Sequence, residues 1–267
     1  MLKRYSAANS PVESGVDAPA KKGLAVILIH GWGLNSLLWQ KVLPQLTQHR
    51  DVYTYDIYGY GDTALKETEL VLPENYFVIG FSLGGVVAST PGLSPFNKMK
   101  GLVTVSTNAK FLASDDWICA MDVEDFESFS NQMTDDVQGA SDRVLRRFTA
   151  LQCKGSQTMR DELSYLRVQQ ASANKTAVKI LQDGLQCLAS SDLRNIWKSF
   201  PVPSLHQFGA ADSLVPVAAA KHVAGTLGRA VQVFEKSAHQ PFLAESDSWV
   251  ASINRFASEQ LAEGQYV

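Results

Sequence analysis

The sequence predicts an α/β protein with a mostly parallel central sheet, flanking helices and a helical insertion. Continuous apolar runs such as residues 24–29 are typical of strands covered on both faces of a parallel sheet. A second run, residues 76–79, leads through a glycine-rich turn directly into a helix-like stretch. Over residues 112–190 the strand pattern gives way to helical spacing. We therefore expect a core of residues 23–111 and 191–267, with a helical cap over 112–190 inserted after the sixth strand.

Composition narrows the class of protein. The chain has 267 residues, of which 45% are hydrophobic and 19% charged, as in an ordinary globular domain. A net charge of −3 argues against a nucleic-acid binder. No apolar run is long enough to cross a bilayer, and the first residues lack the apolar segment of a secretory signal. We expect a cytoplasmic monomer that binds no membrane.

The three cysteines do not suggest a metal or redox site. Cys119, Cys153 and Cys187 are an odd number of residues at no metal-like spacing. They are interpreted as reduced, mostly packed thiols. We expect no metal and no cofactor.

Residues 1–22 are polar and turn-rich, and we expect a loose arm leading into the fold. The first apolar strand ends in His30-Gly31-Trp32-Gly33. Glycines at this point let the backbone turn and present free N–H groups. We expect the N–H of Trp32, together with that of Leu83, to form an oxyanion hole. His30 is expected to brace its loop by hydrogen bonding instead of acting as a base.

The next elements continue the alternation of helices and strands. Residues 36–48 have helical spacing, and residues 51–55 form a strand pattern that ends at Asp56. Asp56 follows a strand, as a catalytic acid would, but we expect it to brace its loop through side-chain-to-backbone hydrogen bonds.

The turn Gly80-Phe81-Ser82-Leu83-Gly84 matches the pattern G-x-S-x-G between a strand and a helix. This pattern marks a nucleophile elbow, in which a serine is exposed on a tight turn where a base can take its proton. Glycine on either side lets the strand and the helix approach each other closely. Pro91-Gly92 is expected to end the following helix early.

A further strand over 101–106 precedes the cap, whose helical spacing covers 122–134, 141–152, 157–171 and 174–188. Its charges are segregated: residues 112–138 hold eight acidic side chains and no basic one, whereas residues 143–179 are predominantly basic. Two interpretations of this basic face are open. It is exposed to solvent and stabilised by ion pairs within each helix, or it binds an acidic partner protein.

After the cap, strand patterns return over 202–208 and 230–234, and a last amphipathic helix covers 245–262. Asp212 follows the first of these strands and His239 follows the second. The chain order of serine, acid and histidine is that of hydrolases with a nucleophile elbow, and it differs from both protease orders. We expect Ser82 to be the nucleophile, His239 the base and Asp212 the residue that holds the imidazole.

These residues give the chain a resemblance to the α/β-hydrolase superfamily from about residue 23 onward. Within it, the chain resembles the pimeloyl-[acyl-carrier-protein] methyl ester carboxylesterases of biotin synthesis. The matching segments are HGWGLN at 30–35, GFSLGGVVAS at 80–89, GLVTVST at 101–107, FTALQ at 148–152, ADSLVP at 211–216 and AHQPF at 238–242.

The resemblance implies a cytosolic esterase that removes the methyl group from pimeloyl-carrier-protein methyl ester without a cofactor. It implies the triad above, oxyanion and substrate contacts at Trp32 and Leu83, and a pocket wall formed by Phe148, Thr149, Ala150, Leu151 and Gln152. It also implies that cap arginines hold the acidic carrier protein, at Arg143, Arg147 and Arg160. The chain departs from the family at Ser164, where the family has a fourth arginine. Arg167, about one helical turn further along the chain, is the residue that would take the place of this arginine.

Three alternatives remain open at the level of sequence. The chain could hydrolyse free short-chain esters without a carrier protein, or it could break carbon–carbon bonds with an identical triad. It could also be a binding protein on a hydrolase fold, although such proteins usually lack a triad residue.

Overall fold

The computed structural model describes residues 2–5, 24–61, 70–133, 139–172 and 176–259. Over these residues a single seven-stranded sheet has the order β1-β3-β2-β4-β5-β6-β7. All neighbouring strands are parallel except the pair of β1 and β3. The strands are β1 (Leu2–Tyr5), β2 (Ala25–Ile29), β3 (Val52–Tyr55), β4 (Tyr76–Phe81), β5 (Leu102–Val105), β6 (Ser204–Gly209) and β7 (Ala230–Phe234). The mostly parallel sheet predicted from the apolar runs is confirmed.

The central strands β2, β4 and β5 are buried along their whole length. Their side chains alternate between the two faces, as the period of a strand requires. Val26 and Leu28 pack into one core with Trp39, whereas Ile27 and Ile29 pack into another. A continuous apolar run was therefore the correct indicator of a strand covered on both sides.

Ten α-helices are found among the described residues. They are α1 (Leu43–Leu46), α2 (Leu83–Ser89), α3 (Val123–Ser130), α4 (Ala140–Cys153), α5 (Met159–Ser172), α6 (Val178–Ser190), α7 (Arg194–Lys198), α8 (Ala218–Gly225), α9 (Pro241–Ala244) and α10 (Ser246–Glu259). Helix α2 ends just before Pro91-Gly92, as expected. No helix in the described ranges combines the length and the apolar character needed to cross a membrane.

Helices α3 to α6 overlap the four helical segments predicted for the cap, with ends that differ by up to four residues, and residues 134–138 and 173–175 lie outside the described ranges. The two chain connections to the cap lie side by side. The Leu193 N–H donates to the Ala109 carbonyl at 2.6 Å, and Lys110 and Asp192 form an isolated antiparallel bridge. Arg194 then pairs with both Asp192 and Asp116 at 2.7 and 2.8 Å.

Three details differ from the predictions. Residues 2–5 of the predicted loose arm form an edge strand, β1, which pairs with β3. Residues 36–48 do not form one helix but a 3-10 helix, Ser36–Lys41, followed by α1, because Pro44 lacks the N–H that a continuous helix would need. The cap follows the fifth strand of the described chain instead of the sixth, since only β1 precedes the first buried strand there.

Candidate active site

Ser82 lies on the tight turn between β4 and α2, where the sequence pattern places it. Its backbone has φ 52° and ψ −116°, a conformation that few residues other than glycine adopt. The turn is closely packed: a Cβ on Gly80 would lie 2.5 Å from the Gly84 carbonyl oxygen, and one on Gly84 would lie 2.5 Å from that of His30. Only glycine fits at both positions, so the strained serine is held by the crossing of strand and helix.

Asp212 and His239 lie on the loops after β6 and β7 and form a buried pair. The Nδ1–H of His239 donates to Asp212 Oδ2 at 2.7 Å, and each side chain is about 1% exposed. The other carboxylate oxygen accepts from the N–H groups of Leu214 and Val215 at 2.9 and 3.0 Å. Both oxygens of Asp212 are therefore engaged, which fixes the carboxylate and hence the imidazole.

The second ring nitrogen of His239 is available for chemistry. Nε2 is buried and has no hydrogen-bond partner among the described residues. The imidazole ring lies 5.0 Å from the ring of Phe81, the residue before Ser82. Since Nδ1 is committed to Asp212, Nε2 is the ring nitrogen left to accept a proton.

The loop after β2 lies against Ser82. A Cβ on Gly31 would be 3.3 Å from the Ser82 Cβ, so the loop that holds Trp32, the predicted oxyanion donor, packs against Ser82. The Trp32 side chain is buried, and its Nε1–H donates to the Leu181 carbonyl in α6 at 2.7 Å. Its ring contacts Phe148 at 4.8 Å between centroids. Trp32 thus links the core loop to the cap.

His30 and Asp56 brace their loops, as predicted. His30 is fully buried; its Nδ1–H donates to the Gly31 carbonyl, and its Nε2 accepts from the Ile57 N–H at 3.0 Å. Burial lowers the pKa of His30, so the ring is neutral and both nitrogens are used. Asp56 accepts from the N–H and hydroxyl of Ser36 at 2.6 and 3.2 Å. Neither residue is free to act as base or acid.

Two of the five residues predicted to form a pocket wall, Phe148 to Gln152, line a cavity beside α4. Phe148 and Leu151 line a cavity of about 200 Å³ between α3, α4, α6 and the loop of Asp212. The cavity is mostly apolar, and Arg147 and Lys154 are among the residues that line it. The other three residues do not line it. Thr149 instead bonds to Leu145 and Gln170, Gln152 is buried against the core, and Ala150 is partly exposed.

The four predicted docking arginines, Arg143, Arg147, Arg160 and Arg167, are all exposed on α4 and α5. Within the described ranges the guanidinium group of none of them forms a hydrogen bond or an ion pair. Arg143 and Arg147 share one face of α4, since they are four residues apart. Arg167 instead faces a larger cavity, of about 810 Å³, between the cap and residues 33–38. The intrahelical ion pairs of the alternative interpretation are not formed by these side chains.

Sequence reasoning did not single out Thr107 or Gln240. The Thr107 hydroxyl donates to the Ser82 carbonyl at 3.0 Å, and Gln240 bonds to Gln152. Gln240 is next to His239, whereas Thr107 follows β5 with no predicted site residue beside it, so the sequence offered a signal for Gln240 alone. Burial raises the pKa of each cysteine thiol, to about 12 for Cys153, which disfavours the reactive thiolate. No cluster of metal-ligating side chains occurs in the part of the chain that is described.

Comparison with known proteins adds a family and a set of relatives. The model of a family described as "Alpha/beta hydrolase family" matches residues 26–253. A pimeloyl-[acyl-carrier protein] methyl ester esterase of Pectobacterium carotovorum is 32% identical over 247 residues, covering 87% of this chain and 93% of the relative. Proteins of the same name from Photorhabdus laumondii and Aeromonas hydrophila are 30% and 32% identical, covering 90% and 88% of this chain and 94% and 96% of theirs.

Solved structures show the same fold at lower identity. An esterase from Exiguobacterium antarcticum has a TM-score of 0.74 at 18% identity, covering 90% of this chain and 94% of its own. A bromoperoxidase from Bacillus anthracis has a TM-score of 0.74 at 19% identity, covering 97% of this chain and 100% of its own.

Proposed function

The chain belongs to the alpha/beta hydrolase family, and we propose that it is a serine carboxylesterase acting on the methyl ester of pimeloyl-[acyl-carrier protein]. It would release methanol and pimeloyl-[acyl-carrier protein] for biotin synthesis. The observation that carries the mechanism is the buried Asp212–His239 pair, whose imidazole lies 5.0 Å from the ring of Phe81, the residue before Ser82, and whose Nε2 has no hydrogen-bond partner among the described residues. The substrate is inferred from relatives that share this name and align over most of both chains.

In the first half of the proposed reaction, Nε2 of His239 takes the proton from the Ser82 hydroxyl while Oγ attacks the ester carbonyl carbon. Asp212 stabilises the imidazolium through the bond at Nδ1. The negative charge that develops on the carbonyl oxygen is stabilised by the N–H groups of Trp32 and Leu83. The position of Leu83 at the N-terminus of α2 adds the favourable end of the helix dipole.

In the second half, the tetrahedral intermediate collapses and the methoxide leaves with the proton of His239 as methanol. Ser82 then carries the acyl group as an ester. Water loses a proton to His239 and attacks this ester, and the carboxylic acid leaves as Ser82 recovers its proton. These steps need only the three side chains, two backbone N–H groups and water.

The acyl chain is proposed to reach the surface along the apolar cavity lined by Phe148, Leu151 and Arg147. The unpaired arginines of α4 and α5 would orient the acidic carrier protein there by charge complementarity. Of the four, Arg143, Arg147 and Arg160 fit this proposal directly. Arg167 fits it less well because it lines the separate, larger cavity.

The triad is tested by Ser82→Ala. We expect turnover of a methyl ester to fall by about a thousandfold or more, because no other group can form the acyl-enzyme. The melting temperature should stay near that of the wild type, and Ser199→Ala, an exposed serine after α7, serves as the control. Activity near the wild-type level in Ser82→Ala would exclude the proposed mechanism.

A further inference from the structure

The C-terminal end of cap helix α4 is bonded to the loop that carries His239. The backbone N–H of His239 donates to the carbonyl of Gln152 at 3.1 Å. In the next residue, Gln240 Nε2 donates to the side-chain oxygen of Gln152 at 2.9 Å. Gln152 and Gln240 are 1% and 0% exposed, so both contacts are shielded from water. One cap residue therefore contacts the histidine loop through its backbone and through its side chain.

Adjacent contacts hold the same stretch of cap to the other loops of the site. The Ser213 hydroxyl, next to Asp212, donates to the Leu151 carbonyl at 3.3 Å. The N–H of Gln157 donates to the carbonyl of Lys236 at 3.1 Å. The cap thus meets the acid loop and the histidine loop at several points, and Gln152 is the one that contacts His239 itself.

The amide of Gln240 depends on Gln152. Its side-chain oxygen is buried and has no hydrogen-bond partner among the described residues, and the bond to Gln152 is the hydrogen bond that its side chain makes there. A buried amide that loses its partner is destabilised, so removal of the Gln152 side chain would favour rearrangement of residues 239 and 240. The expected result is a displaced imidazole, not an unfolded core.

We propose that Gln152 is a positioning residue for His239. Its side-chain bond to Gln240 holds the two segments together, and its carbonyl holds the His239 N–H, so that the imidazole stays in register with Ser82. The inference rests on the proposed triad. It assigns Gln152 a role different from that of a pocket wall, since Gln152 is buried and does not line the apolar cavity.

The kinetic consequence distinguishes these two roles. A displacement of a catalytic group by about 1 Å can lower the rate of the chemical step a hundredfold, without a corresponding effect on substrate binding. Loss of a pocket wall would instead raise KM. A purely structural residue would lower the melting temperature and leave kcat unchanged at temperatures well below it.

The experiment compares Gln152→Leu, Gln240→Leu and the double variant on a free short-chain methyl ester, for which carrier docking plays no part. We expect kcat to fall about tenfold in each single variant with KM within about twofold. The kcat of the double variant should be no lower than that of the less active single variant, because both substitutions remove the same hydrogen bond. Gln152→Glu, which keeps an acceptor oxygen, should recover most of kcat.

The control is Gln182→Leu, which removes another cap side-chain bond, to the Met133 carbonyl, and does not touch the catalytic loops. As a second readout, the low-field proton resonance of His239 Nδ1–H should shift or broaden in Gln152→Leu and stay unchanged in the control. If Gln152→Leu does not fold, Gln152→Asn takes its place, because its shorter side chain cannot reach Gln240.

An unchanged kcat and an unchanged resonance in the folded variant would overturn the inference, as would a rise in KM alone. Ser82→Ala separates this failure from that of the mechanism. An inactive Ser82→Ala with a wild-type-like Gln152→Leu would refute the positioning role only, whereas an active Ser82→Ala would refute the triad on which it rests.

Discussion

Ser82 and Ser106 are the two non-glycine residues with positive φ in the described part of the chain, at 52° and 48°. Such conformations cost on the order of 1–3 kcal/mol each and persist only when the surroundings enforce them. For Ser82 the carbonyl accepts from the Thr107 hydroxyl and from the Gly85 N–H, at 3.0 and 2.9 Å. Ser106 follows β5 and directly precedes Thr107. The hydrogen bond from Thr107 to the Ser82 carbonyl therefore links the backbone next to one strained residue with the other strained residue.

A buried histidine outside the site makes stability depend on pH. His206 in β6 is fully buried, lies against Trp197 with 3.9 Å between the tilted rings' centroids, and is hydrogen-bonded to Thr104. Burial lowers its pKa to about 3, below the value of about 6.5 in an unfolded chain. As the pH falls below about 6.5, the unfolded chain therefore takes up the proton first, and the free energy of unfolding decreases.

We expect His206 to lower the free energy of unfolding by about 2–3 kcal/mol between pH 7 and pH 4.5, at about 1.4 kcal/mol per pH unit below pH 6.5. The measurement is urea denaturation of the wild type and of His206→Gln at both pH values. The stability advantage of the wild type over the variant should shrink by about that amount at pH 4.5. The same difference in the free energy of unfolding at both pH values would contradict this prediction. His30 is present in both proteins, so its own contribution cancels in the comparison.

At the scale of single residues, the sequence predicted the members of the site better than their supports. Ser82, Asp212 and His239 each follow a predicted strand, and the ends of parallel strands meet at one edge of a sheet. Gln152 and Gln240 could not be paired in this way. Their bond depends on how the cap turn lies on the core, which no local pattern of residues records.

At the scale of elements, the strands and cap helices were predictable because their apolar periodicity is long and regular. Strand β1 was missed because it has four residues, two of them charged, and is recognisable only by its pairing with β3. The stretch 36–48 was predicted as one helix because its apolar spacing continues through Pro44, whereas the backbone cannot.

Because β2 and α2 approach each other closely at Gly84, we expect one methyl group added there to lower the stability of the fold strongly. In Gly84→Ala the new Cβ would lie 2.5 and 2.6 Å from the carbonyl oxygens of His30 and Ile29. Because these are backbone atoms of a central strand, the helix must shift. We expect a loss of at least about 2 kcal/mol in the free energy of unfolding, measured by urea denaturation.

The matched control is Gly225→Ala at the end of α8, where nothing lies within 4 Å of the new Cβ. This change should be neutral or stabilising by up to about 1 kcal/mol. Equal effects of the two substitutions would show that the close approach of strand and helix does not constrain the elbow.

At the scale of the whole molecule, we propose that residues 112–190 form one cap, joined to the core by the paired connections near Ala109 and Leu193. Different parts of its helix α4 lie at the surface and against the core. One end carries exposed, unpaired Arg143 and Arg147, and the other end carries Gln152 against the histidine loop. In this proposal the cap combines a surface suited to an acidic protein with contacts to the proposed catalytic residues.

We propose that this esterase acts on a carrier-linked methyl ester. The most direct measurement is steady-state hydrolysis of pimeloyl-carrier-protein methyl ester beside a free short-chain methyl ester, by the wild type and by Arg143→Glu/Arg160→Glu. Lys221→Glu/Arg255→Glu makes the same charge change on exposed residues of α8 and α10, outside the cap, and is the control.

We expect the wild type and the control to prefer the carrier-linked ester. In the arginine variant, kcat/KM for that ester should fall by about tenfold more than kcat/KM for the free ester, because only the former needs the cationic face. Equal kcat/KM for both esters in the wild type, with no selective loss in the variant, would contradict the account and indicate a general carboxylesterase.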